Sequence, residues 1–530
     1  MLILDKLYLD FETDARSYYD PEFMVRLSGY LKPGSKVKQV ENIKDLPLCK
    51  ELIGWGNYEY FVCKSQNYPI NKFTNLKIPY ILYDENQRWS LGQALEHIGK
   101  LNHKFLRTQW EHLGYNWDNV PMQYLKPYNK LDTMCMEWLD EWIQGKYSLK
   151  QNALLQETNQ YICELSWKGL KIDLEENKKQ YKQYKSLIEE KLEGLKAVAD
   201  INWNSPEQVG KVFHKAKVKL SKTKTGKWAV NKIALNELRG HKLVDQYRDY
   251  NRHCTLLRTF VVGMHDKLQL DGKLHPNFSF TKTGRFRCSG PNLQNLPKPN
   301  KGPMRKQIIP EDNDSVLYAV DWEQLEICLI AICFNMPKLI EEIKNGEDRH
   351  QKSANKFSIP RDDAKQCNFG TFYGATKYAL KKHNLDPDTT GQQFINYLHS
   401  EYPDLRSIHA RNSEAAEKGQ VTNIFDRTRR STKFTELNNF LIQSVAGDLN
   451  KMMLIKTNEV GKNYKSRPYL DIHDELIFTV RLDEEKKYLT NVIQESYNRV
   501  NDEVERWFGF RLPLDLKYKI KKGLNYGELK

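Results

Sequence analysis

Two short acidic motifs in the C-terminal half carry side chains of the kind that bind divalent metal ions. Asp321 ends the apolar, β-prone run 316–320, and Asp474 lies between the apolar runs 469–472 and 476–478. Two aspartates at the ends of adjacent strands can bridge a pair of Mg²⁺ ions about 4 Å apart, an arrangement used for phosphoryl transfer. Either aspartate alone could equally be a helix cap or a polar hairpin tip, so the metal-binding interpretation depends on both.

The segment between these motifs contains an unusual helical face. Arg361, Lys365, Phe369 and Tyr373 recur at intervals of four, so on a helix they would form one slowly drifting stripe. Two cations followed by two aromatic rings fit a nucleoside triphosphate, with its phosphates at the N-terminal end and its sugar and base further along. His350, just upstream, could add a phosphate contact. The alternative is a solvated basic face that runs into two aromatic residues of the core.

The elements that must position these residues follow from local patterns. We expect strands on either side of the motif 473–475, a strand over 316–320 and a buried helix over 324–334 directly after it. Ser358 is the expected cap of the helix that carries the stripe, with Pro360 in its first turn. Short strands and helices therefore alternate through the C-terminal half.

The N-terminal half has a different pattern. Residues 1–145 begin with a short apolar strand at 7–9 and include a helical stretch at 133–143. A long, lysine-rich amphipathic pattern then covers 149–198 and is interrupted at 167–169. This section predicts helices with one solvated face.

The composition is that of a globular protein with a polyanionic partner. The 530 residues are 40% hydrophobic and 28% charged, so two or more domains are expected. Lys and Arg outnumber Asp and Glu by 82 to 68, which gives a net charge of +14. Such a chain suits binding to phosphates, although charge alone does not exclude a merely basic protein. The nine cysteines lack metal-binding spacing, and we find no signal peptide or membrane-spanning run, so we expect a soluble, cytoplasmic protein with reduced thiols.

Three motifs occur in the order found in the family A DNA polymerases, the group of bacterial DNA polymerase I and its phage relatives. DWEQLE from Asp321 resembles the first catalytic motif of the family. RDDAKQCNFGTFYG from Arg361 is similar to its nucleotide-binding fingers helix, and HDE at 473–475 resembles its second catalytic motif. The resemblance covers most of the chain from about residue 155, and the short spacing from His350 to Arg361 favours the compact phage-type branch.

The resemblance implies a mixed α/β (α+β) architecture with two domains. An N-terminal RNase H-like exonuclease domain would span 1–145, and a right-hand polymerase domain would span 146–530. The thumb, palm and fingers of the latter would cover about 150–270, 271–340 with 435–530, and 341–434.

The resemblance also implies roles for individual side chains. Asp321 and Asp474 would hold two Mg²⁺ ions, with Mn²⁺ as a substitute, and Glu475 would be an auxiliary catalytic acid. Glu326 would exclude a ribose 2′-hydroxyl and so select deoxynucleotides. The other nucleotide-binding residues would be His350, Arg361, Lys365 (which is also catalytic), Phe369, Tyr373 and Gln324. Primer-template DNA would contact Thr281, Arg285, Asn292, Gln294, Asn295, Arg305, Asn439, Gln443 and His473.

Two N-terminal motifs resemble those of a 3′–5′ proofreading exonuclease. Asp10 and Glu12 follow a strand, as in its first motif, and Tyr128 precedes Asp132 by four residues, as in its third. The resemblance implies further divalent ions on the three carboxylates, with Tyr128 orienting the attacking water.

The middle exonuclease motif is incomplete. Asn57 and an aromatic residue are present, but Phe61 stands where the family has an acid. Glu59 could substitute from a shifted register. We therefore expect an exonuclease-like fold and leave its proofreading activity open.

The expected function is template-directed extension of a DNA primer with dNTPs by two-metal phosphoryl transfer. We expect the protein to be a monomer that acts in DNA replication. A polymerase with an inactive exonuclease domain is one alternative. A single-subunit RNA polymerase would share the palm and fingers, but Glu326 argues against it. A non-catalytic nucleic-acid-binding scaffold would have lost a metal ligand, whereas Asp321 and Asp474 are both present. The sequence identifies no accessory processivity factor.

Overall fold

The structure is a computed structural model that describes residues 3–223, 225–236, 238–380, 391–472 and 474–529. The chain divides into two compact units. Unit 1 comprises Met1–Lys168, Phe278–Cys288 and Tyr318–Lys521, and unit 2 comprises Gly169–Asn277, Ser289–Leu317 and Lys522–Lys530.

The N-terminal part of unit 1 is built on a mixed five-stranded sheet of order β3-β2-β1-β4-β5. Its strands are β1 (Leu4–Thr13), β2 (Val25–Leu31), β3 (Lys38–Val40), β4 (Cys49–Gly54) and β5 (Lys72–Asn75). β1, β2 and β3 pair antiparallel, whereas β4 runs parallel to β1 and β5 parallel to β4. This sheet lies within residues 1–145, and the RNase H-like exonuclease domain predicted there stays a prediction.

Six helices accompany this sheet. They are α1 (Tyr58–Ser65), α2 (Lys77–Tyr83), α3 (Leu91–His97), α4 (Phe105–His112), α5 (Met122–Ile143) and α6 (Leu149–Lys168). α5 packs against β1 and β2. The helix predicted at 133–143 is therefore the second half of a longer one.

The strand β1 is buried on both faces. Leu9 and Phe11 belong to one cluster of buried side chains, and Tyr8 belongs to another that includes residues of α5. Because alternate residues of a strand point to opposite faces, Asp10 and Glu12 share the face of Tyr8. The two acids therefore lie on the side of the sheet that α5 covers.

Unit 2 is mainly helical. Its helices are α7 (Leu174–Lys196), α8 (Pro206–Lys215), α9 (Lys232–Asn236), α10 (Lys242–Leu256) and α11 (Gly263–His265), and its short strands β6 (Leu170–Lys171) and β7 (Lys273–Leu274) pair antiparallel. Asp173 caps α7 by accepting a hydrogen bond from the backbone N–H of Glu176. Trp203, Phe213 and Tyr247 belong to the core of this unit.

The C-terminal part of unit 1 contains two hairpins and most of a four-stranded sheet. The hairpins are β8 (Asn277–Phe280) with β9 (Phe286–Ser289) and β11 (Gln420–Thr422) with β12 (Thr428–Arg430). The sheet contains β10 (Ser315–Trp322), β13 (Arg467–Ile472), β14 (Glu475–Arg481) and β15 (Tyr518–Gly523), in the order β13-β14-β10-β15. The predicted strands on either side of 473–475 are thus confirmed, and they pair antiparallel.

Eleven described helices complete this part of the chain. They are α12 (Leu325–Cys333), α13 (Pro337–Lys344), α14 (Arg349–Phe357), α15 (Arg361–Phe372), α16 (Lys377–Leu380), α17 (Gly391–Glu401), α18 (Asp404–Glu417), α19 (Phe434–Gly461), α20 (Glu485–Tyr488), α21 (Glu495–Asn498) and α22 (Val500–Phe508). The buried helix predicted after Asp321 is α12. None of the helices in the described ranges has the length and hydrophobicity that a membrane crossing requires.

The prediction that Ser358 caps α15 is wrong. Ser358 ends α14 in the left-handed conformation, with φ of 51°, and its side chain does not cap α15. Pro360 occupies the capping position instead, in an extended conformation that suits its fixed φ. The helix that carries the stripe is present, but it begins at Arg361, two residues later than a cap at Ser358 would place it.

The division into units differs from the predicted start of the thumb at about residue 150. The lysine-rich pattern is two helices, α6 and α7, with the break where the sequence predicted it. α6 belongs to unit 1, because it packs on α2, β5 and α19, whereas α7 belongs to unit 2. Residues 289–317, within the predicted palm, also belong to unit 2. Periodicity predicts a helix but does not identify the partner of its buried face.

The tip of the β8–β9 hairpin should tolerate no side chain at Gly284. Its φ is +81°, and a Cβ there would lie 2.6 Å from Cζ of the buried Arg427. We expect Gly284→Ala to lower the thermal midpoint, measured by calorimetry, because backbone strain of about 1–2 kcal/mol adds to the collision. Gly419→Ala is the matched control, since its φ is +80° and nothing lies within 4 Å of its Cβ position. Equal losses in the two variants would show that Arg427 moves aside at no cost.

Candidate active sites

Acidic side chains from neighbouring strands of the four-stranded sheet meet at one lysine. Asp321 lies near the end of β10, and Glu475 begins β14. Lys521, on β15, donates to Asp321 Oδ2 at 3.0 Å and to Glu475 Oε1 at 3.2 Å. Asp474 directly precedes Glu475, whereas the predicted DNA contact His473 lies outside the described residues. The carboxylates of Asp321 and Asp474 are hard oxygen donors that fit Mg²⁺.

Asp474 has a cationic partner of its own. Arg285 Nη2, from the β8–β9 hairpin, lies 3.3 Å from Asp474 Oδ1. Arg285 packs closely on α19 at Gly447, where a Cβ would lie 3.1 Å from its Cγ. Its buried Nε has no hydrogen-bond partner among the described residues. The backbone N–H of Thr281 donates to the carbonyl of Arg285 at 2.8 Å and so closes the hairpin loop.

The first turn of α12 faces the end of α15. Tyr373, the residue that terminates α15, donates a hydrogen bond from its hydroxyl to Glu326 Oε1 at 2.5 Å. Burial, and then the negative charge of Glu326, raise the pKa of this phenol. Gln324 precedes α12 in the left-handed conformation, with φ of 51°. Glu326 and Tyr373, each predicted to bind nucleotide, are thus brought together from positions 47 residues apart.

The predicted stripe of cations and aromatic rings is present along α15. Arg361 Nε donates to Asp348 Oδ2 at 2.8 Å, and Asp348 also caps α14. Lys365 Nζ lies 5.8 Å from the centre of the Phe369 ring. The positive charges therefore lie at the N-terminal end of the helix, with the aromatic side chains beyond them.

His350 lies beside this stripe and is only 4% exposed. Its ring meets that of Phe369 edge-on at 5.1 Å, and its Nδ1 lies 3.1 Å from Asn368 Nδ2. Burial, reinforced by the charges of Arg361 and Lys365, lowers the pKa of His350 to about 4. The imidazole is therefore neutral at physiological pH, and a phosphate would receive a neutral N–H hydrogen bond from it.

The middle of α19 is fixed by buried ions. Lys451 Nζ donates to Asp448 Oδ1 at 2.8 Å, and Arg427 Nη2 lies 3.4 Å from the same oxygen. Asn439 and Gln443, two predicted DNA contacts, are half-buried and lie one turn apart further towards the start of the helix. The buried ions fix the helix that presents these amides.

The remaining predicted DNA contacts belong to unit 2. Asn292, Gln294 and Asn295 lie at a short 3₁₀ turn. Arg305 stacks on the ring of Tyr526 at 4.4 Å and donates hydrogen bonds to two backbone carbonyls of the segment that follows this turn. Arg305 therefore has a structural role in holding the segment, whether or not it also contacts DNA.

The N-terminal acids form a compact group. The ligand atoms of Asp10, Glu12 and Asp132 lie within 4.8 Å of one another, and in the described parts of the chain they are the one group of three potential metal ligands so close together. Burial, and then the charge of Asp132, raise the pKa of Asp10 to about 7. Burial and Asp10 raise that of Glu12 well above its usual value. Three crowded oxygen donors of this kind fit a divalent metal ion.

Two basic side chains that precede α4 contact this group. Lys104 Nζ donates to Asp132 Oδ2 and to the Tyr128 hydroxyl, each at 2.6 Å. His103 Nε2 lies 2.6 Å from Asp132 Oδ1. Tyr128, which was expected to orient a water molecule, thus contacts a lysine in this structure.

The residues of the middle exonuclease motif have different environments. Asn57 accepts hydrogen bonds at 2.8 Å from Asn75 and Asn159, so it ties α1 to its neighbours. Phe61 is a core residue. Glu59 is buried, and burial, followed by the charge of Asp10, raises its pKa to about 8.

A comparison with protein families agrees with this geometry. The sequence profile described as DNA polymerase family A matches residues 171–528, well over half of the chain. The chain belongs to DNA polymerase family A. The predicted family is therefore confirmed, and the phage-type branch stays a prediction.

This family A chain is similar to curated bacterial proteins named DNA polymerase I. It is 30% identical to that of Caldicellulosiruptor bescii over 360 residues, which cover 62% of the chain and 41% of the relative. It is 25% identical to that of Borreliella burgdorferi over 514 residues, which cover 89% of the chain and 55% of the relative. The chain thus spans about half the length, or less, of these relatives.

A solved structure is similar over nearly the whole of this family A chain. The POL domain of Pol1 from M. smegmatis, in complex with DNA primer-template and dNTP, matches with a TM-score of 0.78 and 17% identity over 99% of this chain and 96% of that one. At this identity the likeness establishes the fold. The predicted mixed α/β polymerase architecture is therefore confirmed.

Three basic residues that contact the acids of this family A chain were not predicted from the sequence. Lys521 lies 200 residues from Asp321, and His103 and Lys104 lie 29 and 28 residues from Asp132. In a chain rich in lysine, no local pattern distinguishes such a residue from a solvated one. Only the pairing of β15 with β10 and the packing of α4 on α5 bring them to the acids.

The pH dependence of thermal stability should reflect the protonation of Asp471, a buried residue of β13. Burial raises its pKa to about 8, so the folded protein retains a proton that the unfolded chain releases above about pH 4. Stability therefore falls as pH rises through this window, and Asp471→Asn should gain thermal stability relative to the wild type between pH 5 and 8. Asp483→Asn is the control, because the Arg481 contact lowers the pKa of that exposed carboxyl. Parallel pH profiles for the wild type and Asp471→Asn would contradict the assignment.

Proposed function

We propose that the chain is a template-directed DNA polymerase that extends a DNA primer with dNTPs and acts in DNA replication. The observation that carries this proposal is the meeting of Asp321 and Glu475, from neighbouring strands, at the single ammonium group of Lys521, with Asp474 alongside. Membership of family A supports it, as does the name DNA polymerase I of the relatives. A net charge of +14 suits a nucleic-acid partner.

The proposed chemistry is phosphoryl transfer at this acidic site. Asp321 and Asp474 would hold two Mg²⁺ ions, for which Mn²⁺ could substitute. When bound, such ions favour the ionised primer 3′-hydroxyl and offset the negative charge of the leaving pyrophosphate. The 3′-oxygen bonds to the α-phosphorus, the bond from that phosphorus to the bridging oxygen breaks, and the hydroxyl proton passes to solvent. Glu475, which Lys521 holds, would lie near the primer end.

The helix α15 would position the incoming nucleotide. Arg361 and Lys365 would pair with the triphosphate, and Lys365 would also neutralise the leaving pyrophosphate. Arg361 would then exchange its Asp348 partner for phosphate, and the neutral His350 would donate a hydrogen bond. The two aromatic residues further along α15 would contact the sugar and the templating base pair.

The primer-template would lie across several elements. Arg285 would leave or share its contact with Asp474 when DNA binds. The other proposed contacts are Thr281, Asn292, Gln294, Asn295, Arg305, Asn439, Gln443 and His473. The proposed thumb, palm and fingers would carry these contacts.

Removing one carboxylate should separate catalysis from DNA binding. We expect Asp474→Asn to lower primer extension by about a thousandfold or more, because a neutral amide is a poor ligand for Mg²⁺, while DNA affinity changes little. Primer extension by gel and DNA binding by fluorescence anisotropy measure the two effects. Glu323→Gln is the matched control, since Glu323 pairs with Lys519 close to the site. Normal extension by Asp474→Asn would contradict the proposed role.

Sugar selectivity should depend on the bulk of Glu326. We expect Glu326→Ala to raise kcat/KM for ribonucleotides by about a hundredfold, because the space that excludes the 2′-hydroxyl opens. Tyr373→Phe removes only the hydrogen bond to Glu326 and should retain most of the selectivity. Single-nucleotide incorporation with dNTP and rNTP measures both. If Glu326→Ala keeps the selectivity of the wild type, ribonucleotides are excluded by another part of the site. Glu326 would then no longer argue against an RNA-polymerising activity.

A second activity, 3′–5′ hydrolysis of DNA by the N-terminal domain 1–145, is favoured by one observation. Asp10, Glu12 and Asp132 place their ligand atoms within 4.8 Å of one another, as a divalent metal site requires. When bound, divalent ions would favour ionised water and offset charge on the departing 3′-oxygen. Tyr128 and Lys104 would contact the scissile phosphate or the water. The alternative is a polymerase whose N-terminal site has lost hydrolysis.

A further inference from the structure

We propose that Lys521 is a positioning residue of the polymerase site. It holds Asp321 and Glu475 together and, by its charge, lowers the affinity of the site for free divalent metal ions. The proposal rests on the function proposed above, because it concerns the acids assigned to that site. None of the three polymerase motifs includes Lys521, which lies 46 residues beyond Glu475.

The ammonium group of Lys521 bridges two acids. Its Nζ donates to Asp321 Oδ2 at 3.0 Å and to Glu475 Oε1 at 3.2 Å. Among the residues that the structure describes, Lys521 is the one hydrogen-bond donor to the Asp321 side chain. Without this cation the two carboxylates would repel each other. Lys521 therefore holds them in their present arrangement.

The four-stranded sheet brings Lys521 to this position. β15, which carries Lys521, is an edge strand and pairs with β10, which carries Asp321. Glu475 begins β14, on the other side of β10. The lysine therefore reaches across β10, as its flexible four-carbon stem allows. Its side chain is only 31% exposed, because the ammonium group lies at the acids rather than in solvent.

Five charged side chains meet around the polymerase acids. Lys521 and Arg285 oppose Asp321, Asp474 and Glu475, which leaves one net negative charge. A divalent ion at Asp321 would come close to an ammonium group that already donates to this carboxylate. Two cations repel each other strongly at short distances in partly buried surroundings. Lys521 therefore makes the binding of a free ion less favourable than the acids alone would.

A neighbouring ion pair shows an ordinary contact between these strands. Lys519, two residues earlier on β15, lies 2.8 Å from Glu323, which directly follows β10. The Lys519 side chain is 69% exposed and contacts one acid, so its ion pair adds little to stability. Lys521 differs because it is less exposed and contacts two acids. The two lysines thus form a matched pair for experiment.

Mn²⁺ binding without DNA or nucleotide tests the charge of Lys521. The full chain carries Asp10→Ala throughout, which removes a ligand of the N-terminal group. The binding event that is then lost on adding Asp474→Asn is that of the polymerase site. Electron paramagnetic resonance or calorimetry measures its Kd. We expect Lys521→Met to lower this Kd about tenfold or more, because a cation beside the ion is removed.

Three further variants separate the charge of Lys521 from its structural contacts. Lys521→Gln keeps a hydrogen-bond donor without the charge, so it should also lower the Kd, and it serves if Lys521→Met does not fold. Lys521→Arg keeps the charge, and its Kd should stay within about threefold of the wild type. Lys519→Met should leave the Kd unchanged. A purely structural role predicts instead a Kd that is unchanged or higher in both neutral variants of Lys521.

Primer extension tests the positioning of Glu475. Lys521→Met should lower kcat about tenfold, because Glu475 loses a contact that orients it, and the half-maximal rate should be reached at a lower Mg²⁺ concentration. Lys521→Arg should recover most of the rate, and Lys519→Met should match the wild type. A lower rate in Lys521→Met without a shift towards lower Mg²⁺ would contradict the proposal.

Failure of this proposal differs from failure of the proposed function. An unchanged or higher Kd in Lys521→Met and Lys521→Gln overturns the role of Lys521, even if the wild type is an active polymerase. A wild type that binds Mn²⁺ through Asp474 but does not extend a primer refutes the polymerase, while a lower Kd in Lys521→Met still supports the role of the lysine. A wild type that neither binds Mn²⁺ through Asp474 nor extends a primer overturns both.

Discussion

Carboxylates that are gathered to bind metal ions repel one another, and the fold must offset this repulsion before any ion arrives. In both acidic sites the offset comes from a lysine on a separate element. Lys521 of β15 contacts Asp321 and Glu475, and Lys104, at the start of α4, contacts Asp132. Each site therefore depends on a third element in addition to the two that carry its acids.

Buried ion pairs also tie together the elements that surround the sites. Asp448 of α19 is fully buried and is contacted by Lys451 and by Arg427 of the β11–β12 hairpin. Glu85, near the end of α2, accepts hydrogen bonds from the guanidinium groups of Arg429 and Arg430 in the same hairpin. Removing one partner of such a pair leaves an uncompensated buried charge, so these contacts fix one arrangement of the elements more than they add stability. The hairpin thus links α19 to the N-terminal part of unit 1.

The local elements of the candidate polymerase site could be predicted from the sequence. Local signals, namely apolar runs and four-residue spacing, are present for the strand that leads to Asp321, the helix after it, the paired strands around 473–475 and the helical stripe of α15. The contacts between distant segments have none. Arg285 reaches Asp474 across 189 residues, a contact that depends on how a hairpin packs on α19. Glu59 was visible in the sequence, but its burial was not. The cap predicted at Ser358 failed because a neighbouring proline took the position.

The two lysines have a consequence for how these sites acquire metal. Under the proposed function, an incoming divalent ion would not enter a bare cluster of charges but would exchange with an ammonium group that already contacts the acids. Small metal-stabilised domains unfold when their ion is chelated, because nothing else compensates the ligands. Here the ammonium groups of Lys521 and Lys104 compensate the acids without an ion, so under the proposed function the fold would not depend on metal loading. Under the proposed function, the metal-free protein would keep its fold, and the supply of free metal would govern when its chemistry begins.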